Sequence, residues 1–156
     1  MVMAFILTSP AFSDGSAIPA TYTADGSDFS PPLEWSGAPP GTVTLALICD
    51  DPDAPGGTWT HWVLYGIPAS SAPLPEGIPG SVRLDDGSTQ GLNSWGETGW
   101  RGPSPPSGTH RYVFRLYALD TALQSDSSTT ARDLREVMHG HVLGSASLTG
   151  LYSRSR

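Results

Sequence analysis

Glycine and proline recur along the whole chain, and their density is the strongest constraint on its fold. The 156 residues include 18 glycines and 15 prolines, about a fifth of the chain. Proline cannot donate the backbone hydrogen bond that helices and central strands need, and glycine tolerates the positive φ of tight turns. Five Trp, five Tyr and four Phe still supply large side chains for a core. We therefore expect many short strands joined by turns, and neither long helices nor a disordered tail.

Apolar patterning predicts where these strands lie. Residues 43–50 form an almost continuous aliphatic run, which is typical of a strand covered on both faces. Strands are also predicted at residues 5–8, 58–66, 110–119 and 145–152. One helix is predicted after a cap at Thr129 or Thr130, with Ala131, Leu134, Val137, Met138 and His141 at helical spacing and Gly140 as the stop. The sequence therefore predicts one mainly β, mostly antiparallel domain over residues 1–156, with one or two short helices.

Charge and motif content exclude several classes of function. The net charge is −7 and all eight cationic residues are Arg, so no basic patch for nucleic acid is expected. No apolar run approaches the roughly 20 residues of a transmembrane helix, and the N-terminus has no basic signal-peptide region, so a cytoplasmic location is expected. The single cysteine, Cys49, excludes an internal disulfide. HExxH, GxSxG, P-loop and GxGxxG motifs are missing, so no metal or cofactor is predicted.

Functional side chains concentrate in three segments, at residues 50–55, 59–62 and 108–112. Trp59 and His61 are two apart on a predicted strand and share a face, as do His110 and Tyr112 on another. If these strands are neighbours, two imidazoles and two aromatic rings line one pocket, with the turn after Asp51 at its rim. A carboxylate beside an imidazole raises its pKa and fixes its tautomer, while Trp and Pro walls exclude water. This chemistry suits a small anion pocket.

Structural roles are an alternative for each of these residues. A lone His in an aromatic strand is more often a satisfied core residue than a ligand, and Asp side chains commonly bond their own turn. Arg111 is expected to form a structural ion pair, and His139 and His141 to be structural at a helix C-terminus. The segment of residues 68–106 has little periodicity and is too long for an idle loop, so we expect it to shape a site.

The three segments resemble the signature segments of the phosphatidylethanolamine-binding proteins, in particular the bacterial and archaeal branch described as Raf-kinase-inhibitor-like. They read Asp-Asp-Pro-Asp-Ala-Pro at 50–55, Trp-Thr-His-Trp at 59–62 and Gly-Thr-His-Arg-Tyr at 108–112. Residues 30–35, 91–93, 99–103 and 140–152 also follow the family's order, so the resemblance covers nearly the whole chain.

The resemblance implies a large central antiparallel sheet packed on a smaller sheet, with an anion cavity at one end of the strands. By motif position, Asp51, Trp59, His61, Pro106, His110 and Tyr112 would line this cavity, while Asp53 and Pro55 would hold its turn. It also implies a cis peptide at Ala54–Pro55. Many prokaryotic relatives have Cys where Ser104 stands, so thiol-dependent behaviour does not transfer to this chain.

Three functions are open at this point. The first is a non-enzymatic binding protein that holds a phosphate-bearing head group or similar small anion, with His61 and His110 as donors and Asp51 as their orienting carboxylate. Such a protein could also regulate a kinase or protease partner. The second is a hydrolase with a His/Asp acid–base pair, for which the sequence offers no evident nucleophile. The third is a homodimeric scaffold with a vestigial pocket.

Overall fold

The computed structural model describes residues 4–70, 73–123 and 128–154. Its strands are β1 (Ile6–Thr8), β2 (Glu34–Ser36), β3 (Thr44–Asp51), β4 (Trp59–Pro68), β5 (Thr89–Gln90), β6 (Thr109–Leu119) and β7 (Val142–Ser153). The α-helix α1 spans Ala131–Met138, and a single 3-10 turn spans Ala20–Tyr22. All five predicted strands and the predicted helix are present. The short β2, β5 and the 3-10 turn were not predicted, because segments of two or three residues have no measurable period.

The strands form two antiparallel sheets. The large sheet has the order β5-β4-β3-β6-β7, and the small one pairs β1 with β2. Leu7 of β1 belongs to the same buried cluster as Phe114 of β6, so the small sheet packs on the large one. The predicted mainly β architecture is confirmed.

The central strand β3 is buried along its whole length, as its aliphatic run predicts. Successive side chains of a strand point to opposite faces, so β3 contributes to two cores. Leu45, Leu47 and Cys49 join the larger cluster beneath the small sheet. Ala46 and Ile48 face the other side, where helix α1 covers them. The sheet is therefore apolar on both faces.

A β-bulge in β4 determines which side chains reach the end of the larger core. Cys49 lies opposite Trp62 and Asp50 lies opposite Thr60, so His61 is an extra residue in the ladder. As a result, the consecutive His61 and Trp62 both lie on the face of Tyr112. Without the bulge, one of them would point towards the helix.

Helix α1 begins at a capping box. The Thr130 hydroxyl accepts the Asp133 backbone N–H, and the Asp133 carboxylate accepts the Thr130 N–H. The helix ends at Met138, one residue before its C-cap His139, so His141 lies outside it and pairs with Asp120 instead. The predicted helical position of His141 is therefore wrong, because the chain leaves the helix at the positive φ of Gly140 and begins β7. No helix within the described ranges is long and apolar enough to span a membrane.

Helix α1 should be held mainly by Leu134, which is fully buried against the sheet. We expect Leu134→Ala to lower the free energy of unfolding by about 3 kcal/mol, because it removes buried methyl groups and leaves a cavity. Val137 lies on the same helix but is 43% exposed, so Val137→Ala should change stability by less than about 0.5 kcal/mol. Urea unfolding of both variants measures the difference. Equal losses would mean that α1 does not dock through this face.

Candidate functional site

The three segments identified in the sequence meet at one end of the large sheet. Strand β3 ends there at Asp51, β4 begins at Trp59, and β6 begins at Thr109. Together with the turn after β3 and part of the 68–106 segment, they enclose a cavity of about 250 Å³. The lining residues are Asp51, Ala54, Pro55, Trp59, His61, Trp95, Ser104, Pro105, Pro106, His110 and Tyr112.

Asp51 is 4% exposed, and both of its carboxylate oxygens are engaged. Oδ2 accepts from Nδ1 of His110 at 2.7 Å, and Oδ1 accepts the Asp53 backbone N–H at 2.8 Å. A carboxylate can only accept, so Nδ1 of His110 carries a proton and Nε2 is the free ring nitrogen. Asp51 therefore closes the turn after β3 and also orients the His110 imidazole. The turn-forming role and the orienting role fall on one residue.

His61 is oriented in a different way. Its Nδ1 lies 2.5 Å from the carbonyl oxygen of Arg101, which can only accept, so Nδ1 of this ring also carries the proton. Trp95 and Tyr112 pack against it in T-shaped arrangements, with ring centroids 5.0 and 5.1 Å away. Burial lowers the pKa of His61, while the nearby charges of Asp51 and Asp50 oppose this shift. The ring is therefore neutral at neutral pH.

Three polar atoms of the cavity are left for a ligand. In the described part of the chain, no hydrogen bond uses Nε2 of His61 or of His110. The hydroxyl of Tyr112 is buried and has no partner there either. Burial raises the pKa of Tyr112 well above its usual range, so the hydroxyl keeps its proton. A buried donor without a partner is costly, and a bound ligand would relieve that cost.

Asp53 is the one predicted site residue that does not line the cavity. Its carboxylate accepts the backbone N–H, Nε and Nη2 of Arg111 at 2.8, 3.0 and 2.8 Å. These bonds fasten the turn to β6 and lower the pKa of Asp53 to about 2. Arg111 therefore has the structural ion pair that the sequence predicted.

The turn itself differs from one expectation. No peptide bond in the described ranges is cis, so Ala54–Pro55 is trans and the cis peptide implied by the resemblance is wrong. The trans isomer of an X-Pro bond is intrinsically favoured. The turn closes by other means, since Gly57 N–H donates to the Ala54 carbonyl and both Gly56 and Gly57 have positive φ.

The 68–106 segment supplies lining residues that the sequence alone did not indicate. Trp95, Ser104 and Pro105 belong to it, and Ala54 was also missed. The buried Asn93 builds this part of the loop, because its Oδ1 accepts the backbone N–H of Trp95 and Glu97. The Arg101 guanidinium lies over Trp95, 4.6 Å from the ring centroid. A long aperiodic segment predicted that the loop shapes a site, but no local signal predicted which side chains enter it.

Other candidate groups lie elsewhere. A larger cleft of about 350 Å³ is lined by Leu74, Ile78 and several prolines, and its charged residues Arg83 and Asp86 are exposed. It lacks the buried ionisable pair that marks the 250 Å³ cavity. His139 and His141 do not line that cavity. Within residues 4–70, 73–123 and 128–154, no three His, Cys, Asp or Glu side chains gather as metal ligands would.

The fold and the site together define a class of protein. It is mainly β, and a small cavity lined by His, Asp and Tyr lies at one end of an antiparallel sheet that is apolar on both faces. Known proteins place this class in a family. The chain matches the family described as "Phosphatidylethanolamine-binding protein" over residues 8–153. A UPF0098 protein of Methanothermobacter thermautotrophicus is 55% identical over 148 residues, covering 95% of this chain and 98% of that protein.

Two solved structures agree in fold. A protein of Chlamydia trachomatis, CT736, described as a homologue of the phosphatidylethanolamine-binding protein, has a TM-score of 0.90 and 39% identity, covering 97% of this chain and 99% of that one. YbcL of Escherichia coli, described as a member of the mammalian family, has a TM-score of 0.90 and 32% identity, covering 98% and 100%. The chain belongs to the phosphatidylethanolamine-binding protein family.

The Asp53 clamp can be tested through its titration. Arg111→Gln should return the pKa of Asp53 from about 2 towards the ordinary 3.8, because the stabilising guanidinium is lost. Because the pKa of Asp53 is lower in the folded state, the Asp53–Arg111 pair stabilises the fold fully above pH 3.8. This contribution is lost as the pH falls through about 2. An NMR titration of the carboxyl signals measures the shift, with Arg132→Gln on α1 as the control. A wild-type value near 3.8 would contradict the clamp.

Proposed function

We propose that the protein is a non-enzymatic binding protein whose cavity holds a small oxyanion, such as the phosphate of a phosphorylated head group. The observation that carries this proposal is the pair of imidazoles in one cavity. Both have Nδ1 fixed by an acceptor, which leaves Nε2 of His61 and Nε2 of His110 as free polar atoms beside the unpartnered Tyr112 hydroxyl.

The dimensions and walls of the cavity favour a small ligand. A volume of about 250 Å³ lies below the range of roughly 300–1,000 Å³ that is usual for drug-sized ligands. Trp59, Trp95 and the prolines Pro55, Pro105 and Pro106 give the cavity apolar walls. Apolar surroundings strengthen hydrogen bonds and charge interactions with a bound ligand. A protonated imidazole supplies the positive charge that an anion needs. The names of CT736 and YbcL, which refer to phosphatidylethanolamine binding, support a phosphorylated head group as the ligand.

The anion site can be tested by NMR titration of the imidazole signals with inorganic phosphate and phosphoethanolamine. Saturable shifts are expected at His61 and His110, with His139 and His141 silent. His110→Ala should weaken binding by about tenfold or more, since a hydrogen bond to a charged ligand is lost. His141→Ala is the matched control, because its ring pairs with Asp120 away from the cavity.

The same titration gives a pH dependence with a defined sign. Affinity should fall as the pH rises from about 5 to about 8, because a neutral ring loses one donor and its charge. The lowered pKa of His61 means that this ring loses its donor form at a lower pH than an ordinary His. A flat affinity over this range would contradict charged imidazoles as the anion's partners, and silence of all four His would contradict the anion site.

One observation favours a hydrolase as a second candidate. Ser104 lines the same cavity as the Asp51–His110 pair and is a candidate for the nucleophile that the sequence analysis lacked. Its hydroxyl would attack an ester carbonyl while Nε2 of His110 takes the proton and Asp51 holds the ring. The ester C–O bond would then break, the alcohol would leave with that proton, and water would release the acyl group from Ser104. Turnover of 4-nitrophenyl acetate that is lost in Ser104→Ala, but kept in the exposed Ser145→Ala, would support this candidate. No turnover across a panel of esters and phosphoesters would leave binding preferred.

The proposal extends to a protein partner at the rim. Trp59 is 38% exposed beside the mouth of the cavity, so a kinase, a protease or a second copy of the chain could cover it. If such a partner displaces phosphate, so that the imidazole signals of His110 return to their phosphate-free positions, the anion and the partner share a surface. A dimer that shows no anion response would instead support a scaffold with a vestigial pocket.

A further inference from the structure

The two imidazoles of the cavity have different partners at Nδ1, and this difference divides their roles. His110 donates to a buried carboxylate, while His61 donates to the neutral carbonyl of Arg101. A second proton on His110 makes a buried ion pair with Asp51. A second proton on His61 makes a buried cation whose direct partner is only a carbonyl. The proton taken up from solvent when an anion binds is therefore expected on His110, while His61 stays neutral.

The charges around both rings support this assignment. Trp95, Trp100 and Tyr112, which pack on His61, are neutral, and the charged groups that act on its pKa are Asp51, Asp50 and His110. The Arg101 guanidinium lies over the Trp95 ring.

Titratable side chains around His110 also have hydrogen-bond or ion-pair partners. Asp51 is bonded to its ring, Asp53 is neutralised by Arg111, and Tyr152 lies opposite on β7 with its hydroxyl bonded to Asp25.

The remaining carboxylate near His61 is also occupied. Asp50 is held by Arg135 and Thr60 on the opposite face of the sheet. No Arg is among the residues that line the cavity. Among the residues that line the cavity, a doubly protonated His110 is therefore the source of positive charge.

A neutral His61 whose Nδ1 carries the proton presents a lone pair at Nε2. An oxygen of a fully deprotonated oxyanion would meet that lone pair with one of its own, which is repulsive. A ligand oxygen that bears a hydrogen would instead donate to Nε2. The other ligand oxygens would accept from His110 Nε2–H and from the Tyr112 hydroxyl.

We propose that the cavity selects oxyanions that carry a hydroxyl hydrogen, namely phosphate and singly protonated phosphate monoesters, over sulfate and phosphodiesters. His61 is the specificity-determining residue, as the acceptor of the ligand O–H, in place of the donor role expected from the sequence. This inference rests on the proposed anion site and names the ligand form that the site accepts.

Inorganic phosphate and sulfate are the matched probes. At about pH 7.5 both are mainly dianions of similar size, but only phosphate keeps an O–H. The expected result is that phosphate binds about tenfold or more tightly than sulfate, measured by NMR titration of the His110 signals. Dimethyl phosphate, which has no O–H, should bind as weakly as sulfate. Equal affinities would overturn the selectivity but leave the anion site intact, whereas no response to any of the three would overturn both.

A second measurement on the wild-type protein avoids any variant that fails to fold. The ¹⁵N shifts of the imidazoles in the phosphate complex should show both nitrogens of His110 protonated and Nε2 of His61 unprotonated. A doubly protonated His61 in that complex would overturn its role as acceptor. His141, whose Nδ1 pairs with the exposed Asp120, serves as the internal reference, and its nitrogens should be the same with and without phosphate.

Discussion

Two adjacent buried carboxylates at the end of β3 organise both faces of the sheet. Asp50 and Asp51 are each 4% exposed, and a buried charge is unfavourable unless it is paired. Because neighbours on a strand point in opposite directions, they must find partners on opposite faces. Asp50 binds Arg135 of α1 at 2.6 Å and the Thr60 hydroxyl at 2.7 Å, while Asp51 binds His110 at 2.7 Å. One carboxylate therefore ties the helix to the sheet, and the other organises the cavity.

The bulge in β4 completes this arrangement. Regular alternation would place either His61 or Trp62 on the helix side, but the extra residue keeps both on the cavity side. Trp62 then packs in the larger core, where its Nε1–H donates to Oε1 of the buried Gln90. His61 lines the cavity. The Arg101 carbonyl fixes His61 from the 68–106 segment. The cavity thus depends on contacts between elements that are about 40 to 60 residues apart in sequence, which only the folded sheet brings together.

Much of the fold was predictable because its signals are local. The aliphatic run of β3, the alternation in β6 and the Thr130 cap each follow from a few neighbouring residues. The common face of Trp59 and His61 was predictable for the same reason. The short β5 was not, because its two residues form a strand only through pairing with Leu64 and Tyr65 of β4. The trans peptide at Ala54–Pro55 also departs from expectation, since the geometry of this turn is determined by its glycines and by Asp51.

The sequence by itself determined the mainly β class, the position of the core strands and the three segments that carry the polar chemistry. These features follow from periodicity, turn chemistry and residue type, which act over short distances along the chain. The sequence predicted Asp51 as the orienting carboxylate of both imidazoles. Only the tertiary structure decided that Asp51 orients His110 but the Arg101 carbonyl orients His61, and that the buried Tyr112 hydroxyl has no partner among the described residues. Hydrogen-bond partners, burial and protonation depend on which segments that are distant in sequence come into contact. The sheet register and the β4 bulge determine these contacts.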